Sequence, residues 1–325
     1  MRFMARPYGS KRVILLRKIN MKTKLTMIAA ATIAASSVSA NEVRFTQSSQ
    51  GAAGTASIAI FDINQSTGQA NFIGRNSLDK SNVTGGLATL VINQTGDANK
   101  ADIDVFTADD GAGTINLAFT GDSNDFDLTY GAAADATWST LDVDVVVTGN
   151  SNTFVEAIAQ TTTSLVYDAV VTGDTNAIDT TSGSGVTTMD IDYDIYGGNN
   201  YLTVDTGTLG GARDLDVDIT GSSNDWTVNA KSTTSSTVDV LQTAGANVTG
   251  VISQQGTNST MDLDIAASLA GSFALTTVDM SAGSSATINL TTLGAGEFDL
   301  TQNTDASIYD VSMTLAAGAD IDVSM

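Results

Sequence analysis

A turn of the form Gly-x-x-Asn returns seven times at nearly even spacing, at Gly68–Asn71, Gly96–Asn99, Gly121–Asn124, Gly149–Asn152, Gly173–Asn176, Gly197–Asn200 and Gly221–Asn224. With Gly245 taken as an eighth glycine, the steps are 28, 25, 28, 24, 24, 24 and 24 residues. So short a period leaves few folds open. One unit cannot close a hydrophobic core by itself and must stack on its neighbours. Fainter units follow: Gly256-Thr257-Asn258 shortens the pattern, and Gly271, Gly296 and Gly318 stand roughly where later asparagines would. The spacing predicts about ten or eleven units from about residue 60 to residue 325.

Each unit reads as strand, turn, strand. The second, fourth and sixth residues before the glycine are apolar, as in Ile115, Leu117 and Phe119, Val143, Val145 and Val147, or Leu215, Val217 and Ile219. Aspartate or asparagine stands mainly between them, which is the period-2 alternation of a half-buried strand. After the asparagine the alternation resumes in Phe126 and Leu128, Leu202 and Val204, and Trp226 and Val228. Gly and Asn both tolerate positive φ and suit the turn. Stretches such as 131–136 and 182–185, rich in Gly, Ala and Ser, would close a second turn. The expected fold is all-β: a β-solenoid of strand-turn-strand coils of ~24 residues, stacked ~4.8 Å apart into a rod about 50 Å long. Asparagine at one fixed place per coil can form a side-chain ladder, or can serve simply as a turn residue.

Composition removes most catalytic chemistry. The chain has no Cys and no His, which excludes disulfides, Ser-His-Asp and Cys-His catalysis, and the ordinary zinc, haem and iron–sulfur sites. Eight of the 14 bases fall within the first 24 residues, leaving six bases against 36 acids thereafter. A surface that acidic repels nucleic acid and anionic lipid, so no nucleic-acid partner is expected.

The amino-terminal region reads as an export signal. Met21-Lys22-Thr23-Lys24 opens a basic segment, residues 27–35 form a short apolar run, and Val38-Ser39-Ala40 supplies small residues for cleavage before Asn41. Residues 1–20 are then an upstream misassignment of the start, 21–40 the signal peptide, 41–59 a flexible leader and 60–325 the repeats. The apolar run is too short for a membrane span, so no transmembrane segment is expected.

One unit carries a family resemblance. Ile92-Asn93-Gln94-Thr95-Gly96-Asp97-Ala98-Asn99-Lys100-Ala101 resembles the curlin repeat, Gln-x-Gly-x-x-Asn-x-Ala, of curli fibre subunits. Asn64-Gln65-Ser66-Thr67-Gly68-Gln69-Ala70-Asn71 and Ser253-Gln254-Gln255-Gly256-Thr257-Asn258 echo it. The resemblance spans roughly residues 60–260, following Gly and Asn more closely than Gln: Phe119, Val147, Val171, Ile195 and Ile219 replace Gln in the middle units. It implies a secreted subunit on the surface of a Gram-negative bacterium, assembling head to tail into amyloid fibres of a biofilm matrix. The partners it implies are further copies of the chain, a secretion pore and a nucleator.

The acids need their own account. Five residues before the glycine stand Asn116, Asp144, Asp168, Asp192 and Asp216, and three before it Asp194 and Asp218. On a solenoid these make columns of like charge ~5 Å apart, which oppose stacking. Protonation, or a hard divalent cation such as Ca²⁺ bridging the oxygens, would relieve them. Equally, they can form a solvated acidic face that keeps the rod soluble. No Ca²⁺-loop motif appears. Asp190, Asp192 and Asp194 are the obvious carboxylate cluster for hydrolysis, but aspartates that recur coil after coil read as scaffold, so no enzyme and no resident cofactor is expected. A non-polymerising adhesin is one alternative. An ice-binding face is another, since Thr67, Thr95, Thr120, Thr148, Thr172 and Thr220 form one threonine column, but no second column stands beside it.

Overall fold

The computed structural model describes residues 89–106, 112–130, 138–158, 162–182, 186–207, 211–231, 235–243, 249–255 and 258–267. Outside this stretch it describes strands alone, at 29–34, 42–43, 46–48, 59–65, 72–73, 81–84, 274–275, 285–292, 297–301, 308–314 and 320–324. Every described regular element is a strand. About six coils are complete from first strand through turn to second strand. Their first strands are Thr89–Thr95, Ala112–Thr120, Trp138–Thr148, Thr162–Thr172, Thr188–Tyr196 and Arg213–Thr220. Their second strands are Lys100–Phe106, Asp125–Tyr130, Thr153–Ile158, Ala177–Ser182, Tyr201–Asp205 and Asp225–Lys231.

First strands pair only with first strands and second with second, always in parallel, so the chain forms a parallel β-solenoid with two facing sheets. Pairing is residue on residue: Val143 lies on Tyr167, Tyr167 on Ile191 and Ile191 on Leu215. The core is the set of inward columns that alternation predicts. Exposure alternates strictly along Thr188–Tyr196, where Met189, Ile191, Tyr193 and Ile195 are buried. Strand pairs continue beyond the six complete coils in both directions. Two short strands, Glu42–Val43 and Thr46–Ser48, lie in the segment expected to be a leader, and Ala29–Ala34 in the expected signal peptide lies on Ala59–Asn64.

The register departs from the even spacing at one step. Thr243 lies on Thr220, so the first strand of this coil advances 23 residues, not 24, while the second strand keeps 24, with Thr249 on Asp225; Gly245 lies outside the described residues. The turns Gly68–Asn71 and Gly256–Asn258, together with Gly271, Gly296 and Gly318, have glycines outside the described residues.

Candidate functional site

The turn edge is the most regular surface of the molecule. Gly96, Gly121, Gly149, Gly173, Gly197 and Gly221 have φ between +123° and +143°. A Cβ at Gly173 would lie 2.0 Å from the carbonyl oxygen of Gly149 in the preceding coil, so the glycine column is required by conformation and by spacing alike. The left-handed residue is the one before the asparagine: Ala98, Ser123, Ser151, Thr175, Asn199 and Ser223 have φ of 55–62°. The asparagines of these six turns therefore do not serve by tolerating positive φ, whereas Asn258 of the shortened turn does, at φ 57°.

They serve as a buried ladder. Asn99, Asn124, Asn152, Asn176, Asn200 and Asn224 are almost fully buried. The backbone N–H of each of the first five donates to Oδ1 of the asparagine one coil on, at 2.9 Å for Asn99 to Asn124, 3.0 Å for Asn152 to Asn176 and 2.9 Å for Asn200 to Asn224. Nδ2 of Asn124 also donates to Asn152 Oδ1, and that of Asn152 to Asn176 Oδ1. Within its own coil, Asn124 Nδ2 closes the turn on the Gly121 carbonyl at 2.9 Å. A second ladder runs along the exposed residue after the glycine. Oδ1 of Asp97, Asp122, Asn150 and Asp174 accepts the backbone N–H of Asp122, Asn150, Asp174 and Gly198, at 2.6–2.9 Å. It ends where Gly198 has no side chain to offer. Gln94, the glutamine of the closest curlin match, is buried and donates through Nε2 to Gln65 Oε1 one coil back.

The carboxylates stand on the outer face of the first-strand sheet. Asp144, Asp168, Asp192 and Asp216 are consecutive partners, and the column continues through Asp239 and Asp262. Asp194 and Asp218 pair in the neighbouring column. Asp239 and Asp262 escaped the sequence pattern because the 23-residue step puts them out of phase with a count back from Gly245. Asn116 caps one end of the column, its amide donating to Asp144 Oδ2 at 3.0 Å. Partial burial and the Asp216, Asp194 and Asp168 charges push the Asp192 carboxyl up to about 6. Burial, then neighbouring aspartates, also raise Asp144, Asp216, Asp218 and Asp239 above the usual carboxylate range. Among the described residues, no three acidic side chains converge so as to hold a metal ion. The carboxylates are disposed in line, an arrangement suited to ions shared along a ribbon.

Sequence reasoning missed the polar groups inside the core. Glu156 is 1% exposed, beside Thr180 in the second-strand sheet, and Tyr167 and Tyr193 lie against each other with ring centroids 5.4 Å apart. Burial, reinforced by the Glu156 carboxyl, raises the Tyr167 hydroxyl well above its ordinary range. Arg213, 2% exposed, is the other charged residue in the described core. Alternation carried the signal for both, since Glu156 is the fourth residue after Asn152 and Arg213 the eighth before Gly221, inward positions that most other complete coils fill with apolar side chains, Thr180 being another exception.

No family model, curated protein or solved structure matches the chain. Among the described residues no helix is long and apolar enough to cross a membrane.

Proposed function

We propose that this chain is a secreted structural protein: a curlin-like fibre subunit, or fibre-associated component, of an extracellular matrix on a Gram-negative bacterium. Self-assembly and adhesion are its means of action. The rod has ten or eleven coils, exported through a secretion pore and nucleated by a related component. The observation that carries the reading is the translational self-complementarity of the coils. Each coil offers the next the same strand edge, the same asparagine Oδ1 and, over much of the rod, the same Asp or Asn acceptor at the turn. A coil of a second copy meets this template as well as a coil of the same copy does.

The acidic ribbon opposes this addition, and Ca²⁺ bridging of Asp144, Asp168, Asp192, Asp194, Asp216 and Asp218 would lift the opposition. The adhesin reading keeps the ribbon charged and the rod monomeric. Ice binding has less support, because Tyr196 interrupts the threonine column between Thr172 and Thr220. The residues beside that column, Ala118, Val146, Val170, Asp194 and Asp218, supply no second threonine row.

The test is to dilute residues 41–325 from denaturant, with and without Ca²⁺, and examine the product by electron microscopy. Unbranched fibres that seed fresh monomer are expected, sooner with Ca²⁺. Monomeric rods at every concentration in both conditions would overturn the fibre reading and favour the adhesin.

A further inference from the structure

Arg213 opens the first strand of its coil and points into the core, in the column Leu141, Leu165, Met189, Arg213, Ser236. A guanidinium stays protonated in proteins, so this is a buried positive charge at every physiological pH. One of its nitrogens is accounted for: Nη1 donates to the Val186 carbonyl at 3.3 Å. Nε and Nη2 are inaccessible to solvent and have no hydrogen-bond partner among the described residues. Among the described residues no buried carboxylate stands beside it. Glu156, the other charged side chain of the described core, lies three coils away, ~14 Å along the rod. The aspartates on either side along the column, Asp190 and Asp214, belong to the outer face of the strand.

An unanswered buried guanidinium is costly. Desolvation alone penalises the ion heavily, and each orphaned N–H adds to that. Structures that keep such groups generally hold an ion or a water against them. The next column residue is Ser236, a small side chain where the two preceding coils place Met189 and Leu165 in the column. The one buried hydroxyl beside Arg213 in the column is that of Ser236. The Ser236 hydroxyl is already bonded to Gln254 Nε2 at 2.7 Å and to Ser259 at 3.2 Å, so the donors left over here are those of the guanidinium.

We propose that Arg213 holds a buried monovalent anion of chloride size through Nε and Nη2. The anion is a structural ligand that neutralises the core charge as the sixth complete coil docks on the fifth. A larger oxyanion would need donors on several sides, and the apolar Met189 beside Arg213 supplies none.

The test is thermal unfolding of the whole chain in sodium chloride or bromide against sodium gluconate at matched ionic strength, for wild type and Arg213→Met. Gluconate is too large to enter. For wild type, the unfolding midpoint should rise by about 3 °C between ~5 mM and ~200 mM chloride, beyond any change in gluconate. Arg213→Met puts a neutral side chain of the Met189 kind into the column, and should lose the chloride-specific rise. Arg213→Gln should lose it too, and serves if the methionine variant does not fold. Equal midpoints in chloride and gluconate for wild type would overturn the proposal and assign the orphaned donors to water. A chloride-specific rise of the same size in the variants would also overturn it, as a bulk salt effect.

Discussion

At Gly173, two independent constraints meet, and each can be measured. Its φ of +132° excludes a side chain without strain, and its Cβ position is 2.0 Å from the Gly149 carbonyl oxygen. Gly173→Ala should therefore lower stability to urea by about 3 kcal/mol or more, well above the ordinary cost of a glycine substitution. Loss of less than about 1 kcal/mol would show that the turn can shift away from its neighbour. Asn152 is a different case, a matter of unsatisfied donors. It accepts from both the backbone and the side-chain nitrogen of Asn124 and donates to Asn176. Asn152→Ala orphans two buried donors and should cost about 2–4 kcal/mol, read from the same urea titration. Asn152→Asp restores the acceptors but loses the Nδ2 donor to Asn176, and should cost less at low pH than at neutral pH.

At the scale of the strand and its sheet, the aspartate column sets the response to acid. Asp192 is held at about 6, above the ~3.9 of an unstructured aspartate, so the folded chain binds protons that the unfolded chain releases. The contribution of this group is complete below about pH 4 and is lost as pH rises through about 6. Urea midpoints should therefore climb between pH 7 and pH 5. Asp192→Asn should raise the midpoint at pH 7 and flatten the climb. A midpoint that falls steadily from pH 7 to pH 5 would mean that the column is neutralised in some other way. The alternation in the sequence made these columns legible, because a period of 2 in the strand and 24 in the coil together place a residue on a face and beside a partner. Two things were not legible. The 23-residue step hid Asp239 and Asp262, since a register is fixed by hydrogen-bonded partners and not by the nearest glycine. The repeat offered the asparagine as a ladder residue or as a turn residue without deciding between them; burial makes it the ladder, while Ser151 or Thr175 beside it takes the left-handed turn. Glu156 and Arg213 sat at inward positions in plain view. What such groups meet inside a core depends on neighbours one coil away, which no local pattern displays.

The whole molecule behaves as a stack in which each coil contacts only the coils before and after it, so its tolerance to deletion should depend on phase and hardly on length. Removing residues 198–221 excises one period and joins Gly197 to Ser222-Ser223-Asn224, which regenerates a complete turn. Asp192 would then lie beside Asp239, Tyr193 beside Val240 and Asn176 beside Asn224, each pair occupying the columns that the intact register defines. Arg213 leaves with the excised coil, and with it the buried charge. This chain should fold to the same strand spectrum by circular dichroism, with a urea dependence reduced roughly in proportion to the coil removed. Removing only residues 198–209 takes out half a period. The first strand beginning at Arg213 would then have to follow directly on Tyr196 and Gly197, with no second strand to return the chain across the rod. No register restores both sheets, and that chain should fail to give a cooperative transition. Equal behaviour of the two deletions, folded or unfolded, would show that the coils do not act as interchangeable units, and the templating on which the proposed fibre growth depends would lose its physical basis.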